Sequence, residues 1–296
     1  PESLLQKYIR LKRIKVNGKG AKRDTRLALG DVLQLYINDE FFEMPSENNA
    51  YLKVATPKLD IVYEDENVLL VNKRPGMLCH SAGDWSYDTL VAHIQAYAYQ
   101  NRLWSPRDEA SFAPALCNRI DRNTGGIVIA AKNAEALRIL NQKIKDREIS
   151  KYYLCVVLGR PRPAEAKLEG YLFKDAVKNQ VYVSQKFQPG AKTAITQYRT
   201  LTTRNSLSLV ECRLFTGRTH QIRAQMANAG YPLLGDGKYG KERINRRYGE
   251  KHQLLHSYRL TFDFSTDAGI LNYLRGKTVS VSSVDFVEKH FAGYEI

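Results

Sequence analysis

The sequence predicts an α+β protein, a mainly antiparallel mixed-sheet domain with flanking helices and a central cleft, preceded by a small basic module of one helix and a hairpin. Strand-like runs recur at residues 152–158, 180–187, 194–201, 207–214 and 258–264, joined mainly by turns, which argues against a doubly wound nucleotide fold. Helical periodicity is confined to short stretches between them. The first 43 residues have their own composition: nine Lys and Arg fall between residues 7 and 26, against Asp24 alone.

Taken in order, Leu4, Leu5, Tyr8 and Ile9 share helical spacing, and IKVNGK (14–19) reads as a strand entering an Asn-Gly turn. TRLALGDVLQLYI (25–37) gives a Gly-Asp turn, then an expected half-buried strand with Val32, Leu35 and Ile37 inward. Residues 38–59 lose periodicity and gain Pro, Asn, Ser and Glu, as an exposed connector does. This places the module at 1–45, a linker at 46–58 and the main domain at 59–296. Inside that domain, 61–76 reads as two strands around a polar turn at 64–67. Ser86 is expected to cap a helix presenting Leu90, Val91, Ile94, Tyr97 and Ala98, and Asn133 one presenting Leu137, Leu140 and Ile144. Thr124, Gly125 and Gly126 read as a turn into a buried strand at 127–131. Thr219 is expected to cap a short helix ending at Gly230, with Ile222, Met226 and Ala229 inward.

The 296 residues, 43% hydrophobic and 26% charged, suffice for one large or two modest domains and exclude a fibrous or disordered chain. Forty-five Lys and Arg against 31 acids leave a formal +14, which points to a polyanionic partner, nucleic acid or an acidic membrane surface. The uncharged apolar runs at 125–131 and 152–159 fall far short of the roughly 18 to 20 residues that span a bilayer. No secretory signal is legible after Pro1. Cys79, Cys117, Cys155 and Cys212 stand far apart without a CxxC pair and suit a reducing cytoplasm, the expected location. The six histidines include no HExxH, so neither a metal nor an organic cofactor is expected.

Two segments carry candidate chemistry. In PALCNRIDRNTGGIVIAAKN (114–133), Asp121 lies on a loop beside a buried strand, between Arg119 and Arg122. An Asp there serves either to order the loop through backbone amides or as a nucleophile or base, since surrounding positive charge favours the ionised carboxylate. In FTGRTHQIRAQMANAGYPLLGDGKYG (215–240), His220 and Arg223 share a helix face, which would hold Arg223 rigidly near the first turn. An Arg there either anchors its helix or pairs with a carboxylate. Two unit charges about 4 Å apart at an effective dielectric near 20 attract by roughly 4 kcal/mol before desolvation.

Together these segments resemble the RluA-type family of pseudouridine synthases, whose hallmark loop is H-R-L-D-x-x-T-S-G. The corresponding residues are Asn118, Arg119, Ile120, Asp121, Thr124, Gly125 and Gly126. The resemblance extends over VYEDENVLLVNKRPG, KYYLCVVLG, KTAITQYRTL, GRTHQIR, YPLLGDGKYG and LLHSYRLTF, in that order. It implies that Asp121 is the catalytic nucleophile, Tyr153 the aromatic residue stacked on the target base, and Arg223 the partner of the carboxylate. Arg119 would enter the space left by the flipped nucleotide, and Asn118, Thr124, Arg218, His220 and Gln221 would line the substrate site. Asn118 replaces the usual His and Gly125 the usual Ser, so contacts made there by other members are expected to be altered.

The basic module resembles an S4-type RNA-binding domain, here partial, with Lys12, Arg13, Lys15, Lys22, Arg23 and Arg26 as its RNA contacts; KYGKERINRRYGEKH (238–252) is a second basic cluster. The implied activity is isomerisation of uridine to pseudouridine in structured RNA, ribosomal RNA of the large subunit before transfer RNA, by a monomer binding neither DNA nor membrane. The competing readings are a non-catalytic RNA-binding or ribosome-assembly protein of the same fold and, more distantly, another RNA-modifying hydrolase or transferase.

Overall fold

Asn17 and Gly18 both take positive φ, 50° and 77°, which a two-residue I′ hairpin turn requires, so the Asn-Gly pair read from the sequence folds the strands around it. The computed structural model describes residues 2–37, 47–81, 88–106, 111–175 and 180–296. The chain divides into two compact units, Pro1–Leu59 with Leu78–Ala115, and Asp60–Met77 with Leu116–Ile296.

The first unit holds α1 (Glu2–Arg10) and three antiparallel strands, β1 (Ile14–Val16), β2 (Lys19–Gly20) and β3 (Leu33–Leu35), in the order β2-β1-β3. Contrary to the half-buried strand expected there, Val32 and Leu35, two of the residues expected inward, are 60% and 37% exposed; three such short strands enclose too little volume to cover them. The connector expected over 46–58 is, from Glu47, a 3₁₀ helix (Glu47–Lys53) whose Ala50, Tyr51 and Leu52 are buried. They pack with Ala92, Ala96 and Ala98 of α2 (Leu90–Gln100) and with Trp104. A few apolar residues set among Asn and Glu thus build a core that composition hides. Thr89 caps α2 by accepting the Ala92 N–H at 3.3 Å, while Ser86 lies outside the described residues.

The strands that follow are β4 (Ile61–Glu64), β5 (Val68–Lys73), β6 (Ala115–Leu116), β7 (Gly125–Ala131), β8 (Ser150–Leu158), β9 (Glu165–Asp175), β10 (Gln180–Ser184), β11 (Lys192–Arg204), β12 (Leu207–Leu214), β13 (Leu255–Thr261) and β14 (Thr278–Ser280). Across the second unit the order is β10-β9-β11-β12-β8-β13-β7-β5-β4, with β14 beside β13. All these pairings are antiparallel except β13 with β7, which run parallel at His256 and Ser257. β7 is buried along its whole length, which explains why it reads as an unbroken apolar run.

Alternation along β8 sorts the two faces of the sheet. Leu154 and Val156 join Ile127, Ile129 and Leu140 on the face covered by α3 (Ala134–Lys145), whose N-cap is Asn133 as expected. Tyr153, Cys155 and Val157 lie on the other face, under Ile222 and Met226 of α4 (Gln221–Asn228). Several elements escaped the sequence reading, among them the polar strand β9, the short strands β6 and β14, and α5 (Glu242–Tyr248) within the second basic cluster. A last helix, α6 (Asp285–His290), adds Phe286 and Val287 to the α3-side core.

Gly125 and Gly126 open β7 rather than forming a turn. Gly126 has φ 112°, and a Cβ there would lie 2.3 Å from the Ser257 carbonyl oxygen, so no other residue fits against β13. Gly126→Ala is therefore expected to lower unfolding free energy by at least about 3 kcal/mol in urea titrations; a loss below about 0.5 kcal/mol would contradict this close approach.

Candidate active site

The loop of residues 118–124 is strapped down at several points before β7 begins. Asn118 Oδ1 accepts the Ile129 N–H at 2.8 Å, so this side chain serves the sheet. The Thr124 N–H donates to the Asp121 carbonyl at 3.1 Å. Lys73, 1% exposed at the end of β5, donates to the carbonyls of Arg74, Met77 and Arg122 at 3.1, 2.9 and 3.0 Å. An ammonium so enclosed holds the loop against the segment after β5, and Arg122 adds a bond from Nε to the Gly76 carbonyl at 3.1 Å. Asp121 is thereby presented on a rigid support.

Arg223 meets it from α4. Its Nη1 donates to Asp121 Oδ2 at 2.9 Å, and its side chain is 6% exposed against 26% for Asp121. The rest of the guanidinium is taken by a residue the sequence reading did not single out: Nε and Nη2 donate to Asp236 Oδ2 and Oδ1 at 2.7 and 3.0 Å. Asp236 is fully buried and also accepts the N–H groups of Lys238 and Tyr239, at 2.8 and 3.1 Å. Burial alone would raise its pKa, but the bonds and charge of Arg223 outweigh that and hold it below the ordinary carboxylate value. Arg223 is likewise stabilised as a cation, its two carboxylates outweighing desolvation.

The helix starts at His220, not at the expected Thr219, which is exposed. His220 takes a left-handed φ of 53° and makes no side-chain cap. Its ring instead turns to the site: Nδ1 lies 3.0 Å from the Tyr239 hydroxyl and Nε2 lies 3.8 Å from Asp121 Oδ2. Burial lowers its pKa below the usual histidine value despite the nearby Asp121. Gln221 is buried and its amide is fully engaged. Its oxygen accepts from Thr216 Oγ1 and the Arg218 N–H, and its nitrogen donates to the Ile195 carbonyl and Thr196 Oγ1. It fixes α4 to β11.

Of the remaining expected site residues, Tyr153 is buried in the α4-side cluster against which Ile120, next to Asp121, packs. Arg119 is exposed and no ion pair among the described residues holds it. Thr124 is buried and accepts from Gln253 at 3.3 Å, and Arg218 is exposed with Nε on the Thr193 carbonyl at 3.1 Å. Lys12, Arg13, Lys22, Arg23 and Arg26 are exposed and Lys15 half-buried, all on the module of the first unit. A separate groove of about 590 Å³ borders the loop at Asn123 and is lined also by Arg74, Lys251, His252 and His256, but it does not reach Asp121.

His256 explains the glycine at 125. The ring is held by Nε2 on Asn72 Oδ1 at 3.0 Å, burial pulls its pKa down to about 4, and a Cβ at residue 125 would sit 2.6 Å from Nδ1. The neutral imidazole occupies the space a side chain at 125 would need.

Residues 67–228 match the RNA pseudouridylate synthase family. The chain belongs to this family, within its RluA-type branch. It is 33% identical over 224 residues to the ribosomal large subunit pseudouridine synthase D of Borreliella burgdorferi, covering 76% of this chain and 67% of that protein. It is 30% identical over 267 residues to the ribosomal large subunit pseudouridine synthase C of Vibrio vulnificus, covering 88% and 80%. In fold it is similar to human RNA pseudouridylate synthase domain containing 4, with a TM-score of 0.61 at 18% identity over 81% of this chain and 94% of that one. The protein is thus an RNA pseudouridine synthase, an isomerase whose substrate is RNA.

Asp236→Asn preserves shape and removes one buried charge, and is expected to cost about 3 kcal/mol of unfolding free energy at neutral pH. A depressed carboxylate pKa stabilises the fold above the unfolded value of about 3.9 and ceases to do so as pH falls through the folded value. Urea midpoints of wild type and variant should therefore differ at pH 7 and converge on acidification below about pH 4. Equal midpoints at neutral pH would show that the pair contributes nothing.

Proposed function

We propose that the protein converts uridine to pseudouridine in large-subunit ribosomal RNA, with Asp121 as the attacking carboxylate. The observation that carries this reading is the chain of contacts Asp121–Arg223–Asp236, which leaves one partly exposed carboxylate fixed at the end of a buried cation. The names of the bacterial relatives support the choice of RNA.

A uridine inside folded RNA leaves its stack before its glycosidic bond is attacked, at a cost of a few kcal/mol. Arg119, exposed and unheld by any ion pair among the described residues, is free to fill the gap, where its plane stacks and its charge meets phosphate. Tyr153 supplies an aromatic wall for the extruded base. The carboxylate of Asp121 then attacks the ribose C1′ or the base C6, or assists elimination. On each route the N1–C1′ bond breaks with its electron pair on the uracil, the base turns, and C5 bonds to C1′, while any bond Asp121 made to C1′ or C6 breaks with its pair returning to the carboxylate, or the C2′ proton lost in elimination is given back. The C5 proton passes to a base, for which Tyr153 is the candidate, and N1 regains a proton, so nothing is consumed. Oriented dipoles and one fixed cation stabilise the charge that moves.

Residues 1–45 are, in this reading, an S4-like module whose Lys12, Arg13, Lys15, Lys22, Arg23 and Arg26 add salt-sensitive phosphate contacts, and the enzyme works in the cytoplasm. Among the described residues no helix is long and apolar enough to cross a membrane. The two departures from the family loop both have structural reasons. Asn118 bonds to β7 and Gly125 accommodates His256.

Asp121→Asn is expected to lower tritium release from 5-tritiated uridine RNA by about 1,000-fold or more while RNA affinity stays within about threefold. Near-normal turnover by Asp121→Ala would remove the residue from the mechanism. Arg223→Ala should reduce the single-turnover rate far more than RNA affinity, and equal losses in both would reduce its role to binding. Pseudouridine maps of RNA from cells with and without the gene should differ at large-subunit ribosomal sites, and differences confined to transfer RNA would overturn the choice of substrate.

A further inference from the structure

The inner side of α5 supports the site. Asn245, 6% exposed, accepts the Gly235 N–H at 2.8 Å and donates to the Asp236 carbonyl at 3.1 Å, which clamps the turn whose carboxylate grips Arg223. Ile244 and Tyr248 are half-buried against the α3-side core, and the Tyr248 hydroxyl donates to the Asn205 carbonyl at 3.1 Å. All of these residues belong to the second compact unit. The place of the helix relative to Asp121 is therefore fixed.

Its outer side is charged. Residues 237–252 hold six Lys and Arg against two acids, Glu242 and Glu250. Both acids are already engaged: Glu242 pairs with Arg246 along the helix, and Glu250 with Lys289 and His290 at 2.6 and 2.8 Å. Lys241, Arg243 and Arg247 are exposed and have no ion-pair partner among the described residues. Arg243 and Arg247 stand four residues apart on the side of the helix away from Asn245, a spacing at which like charges destabilise a helix. A seven-residue helix whose one buried residue is an Asn has little apolar burial to set against that repulsion, and a polyanion would relieve it. Lys238, also exposed, stands close enough to His220 for its charge to disfavour the protonated ring, so positive charge continues from the helix to the site. With Tyr248 packed inward, α5 offers no ring for a base to stack on. What its outer side fits is the RNA backbone, whose phosphates match the planar fork of Arg.

We propose that α5 is a phosphate-docking helix: Arg243 and Arg247, with Lys241 and Lys238 leading back to the site, bind the backbone of the RNA that presents its nucleotide to Asp121. The proposal deepens the reading of the protein as an RNA-modifying enzyme and rests on it. Phosphate contacts carry no sequence information, so the helix acts on affinity and on placement of the RNA, and the choice of base is left to the site.

The test uses the full chain and an unmodified transcript of large-subunit ribosomal RNA, with binding measured between about 50 and 300 mM salt. Arg243→Gln with Arg247→Gln is expected to weaken binding at least about tenfold at the lower salt and to flatten the log–log salt dependence by about 1.5, as loss of two phosphate contacts does. Its urea midpoint should be no lower than that of wild type, since the change removes a repulsion. Arg243→Lys with Arg247→Lys keeps both charges and should keep the slope. A charge-matched control, Arg138→Gln with Lys145→Gln, alters exposed positions on α3, across the sheet from α4, and should bind within about twofold of wild type. Affinity of the Gln variant within about twofold of wild type would leave these cations to solubility or to an acidic protein and overturn the proposal. So would an equal loss in the α3 control, a slope that falls as far with Lys as with Gln, or a loss of binding that comes with a lower urea midpoint. Tritium release by the wild-type enzyme is read separately; its absence would sink the catalytic reading and leave the binding result standing.

Discussion

One guanidinium shared between two carboxylates organises this protein. Arg223 brings a single positive charge into a place where its side chain is 6% exposed, and Asp236 beside it has no exposure at all. Removing such ions from water costs several kcal/mol each, which their attraction offsets only with near-ideal geometry. The two parallel bonds from Arg223 to Asp236, and the two backbone amides behind Asp236, provide it. Nη1 is left to aim an N–H donor at Asp121. The loop of residues 118–124 and the helix meet at that bond, and Lys73, Gln221 and Asn118 each hold one of the parts that must arrive there.

Much of the fold was legible because its elements obey one period each. β7 is wholly apolar because it is buried on both faces, and α3 shows one apolar stripe with Asn133 as its cap. β9 was not legible, since EAKLEGYLFKD carries charges on its open face and a glycine in the middle, although Ala166, Leu168 and Leu172 do alternate. α5 was missed for a related reason. Its one buried residue is Asn245, whose amide accepts the Gly235 N–H and donates to the Asp236 carbonyl, so it is anchored by hydrogen bonds that apolar periodicity does not report.

At the site, the loop Asp and the helix Arg were each found but could be joined only through resemblance, because 102 residues separate them. Asp236 lay in plain view between two glycines, where turn propensity accounts for an Asp without invoking a partner. Its company was the available signal: a second acid is what a buried Arg facing a loop Asp would need. Gly125 and His256 show the same limit from the other side. Gly125 stands out only as a departure from the family loop and His256 not at all, and only their 2.6 Å approach shows that one residue fills the other's space.

In the proposed mechanism Asp236 and Arg223 act on turnover by placing Asp121, beyond any part they have in stability. The most direct measurement is single-turnover tritium release, with urea unfolding alongside, for the double variant Arg223→Gln, Asp236→Asn. It removes both buried charges together and keeps two groups able to hydrogen-bond. Stability should return to within about 1 kcal/mol of wild type, as when both members of a buried pair are replaced, while the rate stays at least about 100-fold down. A rate that recovers along with stability would show that the pair merely holds the fold, and the account of the site would be wrong.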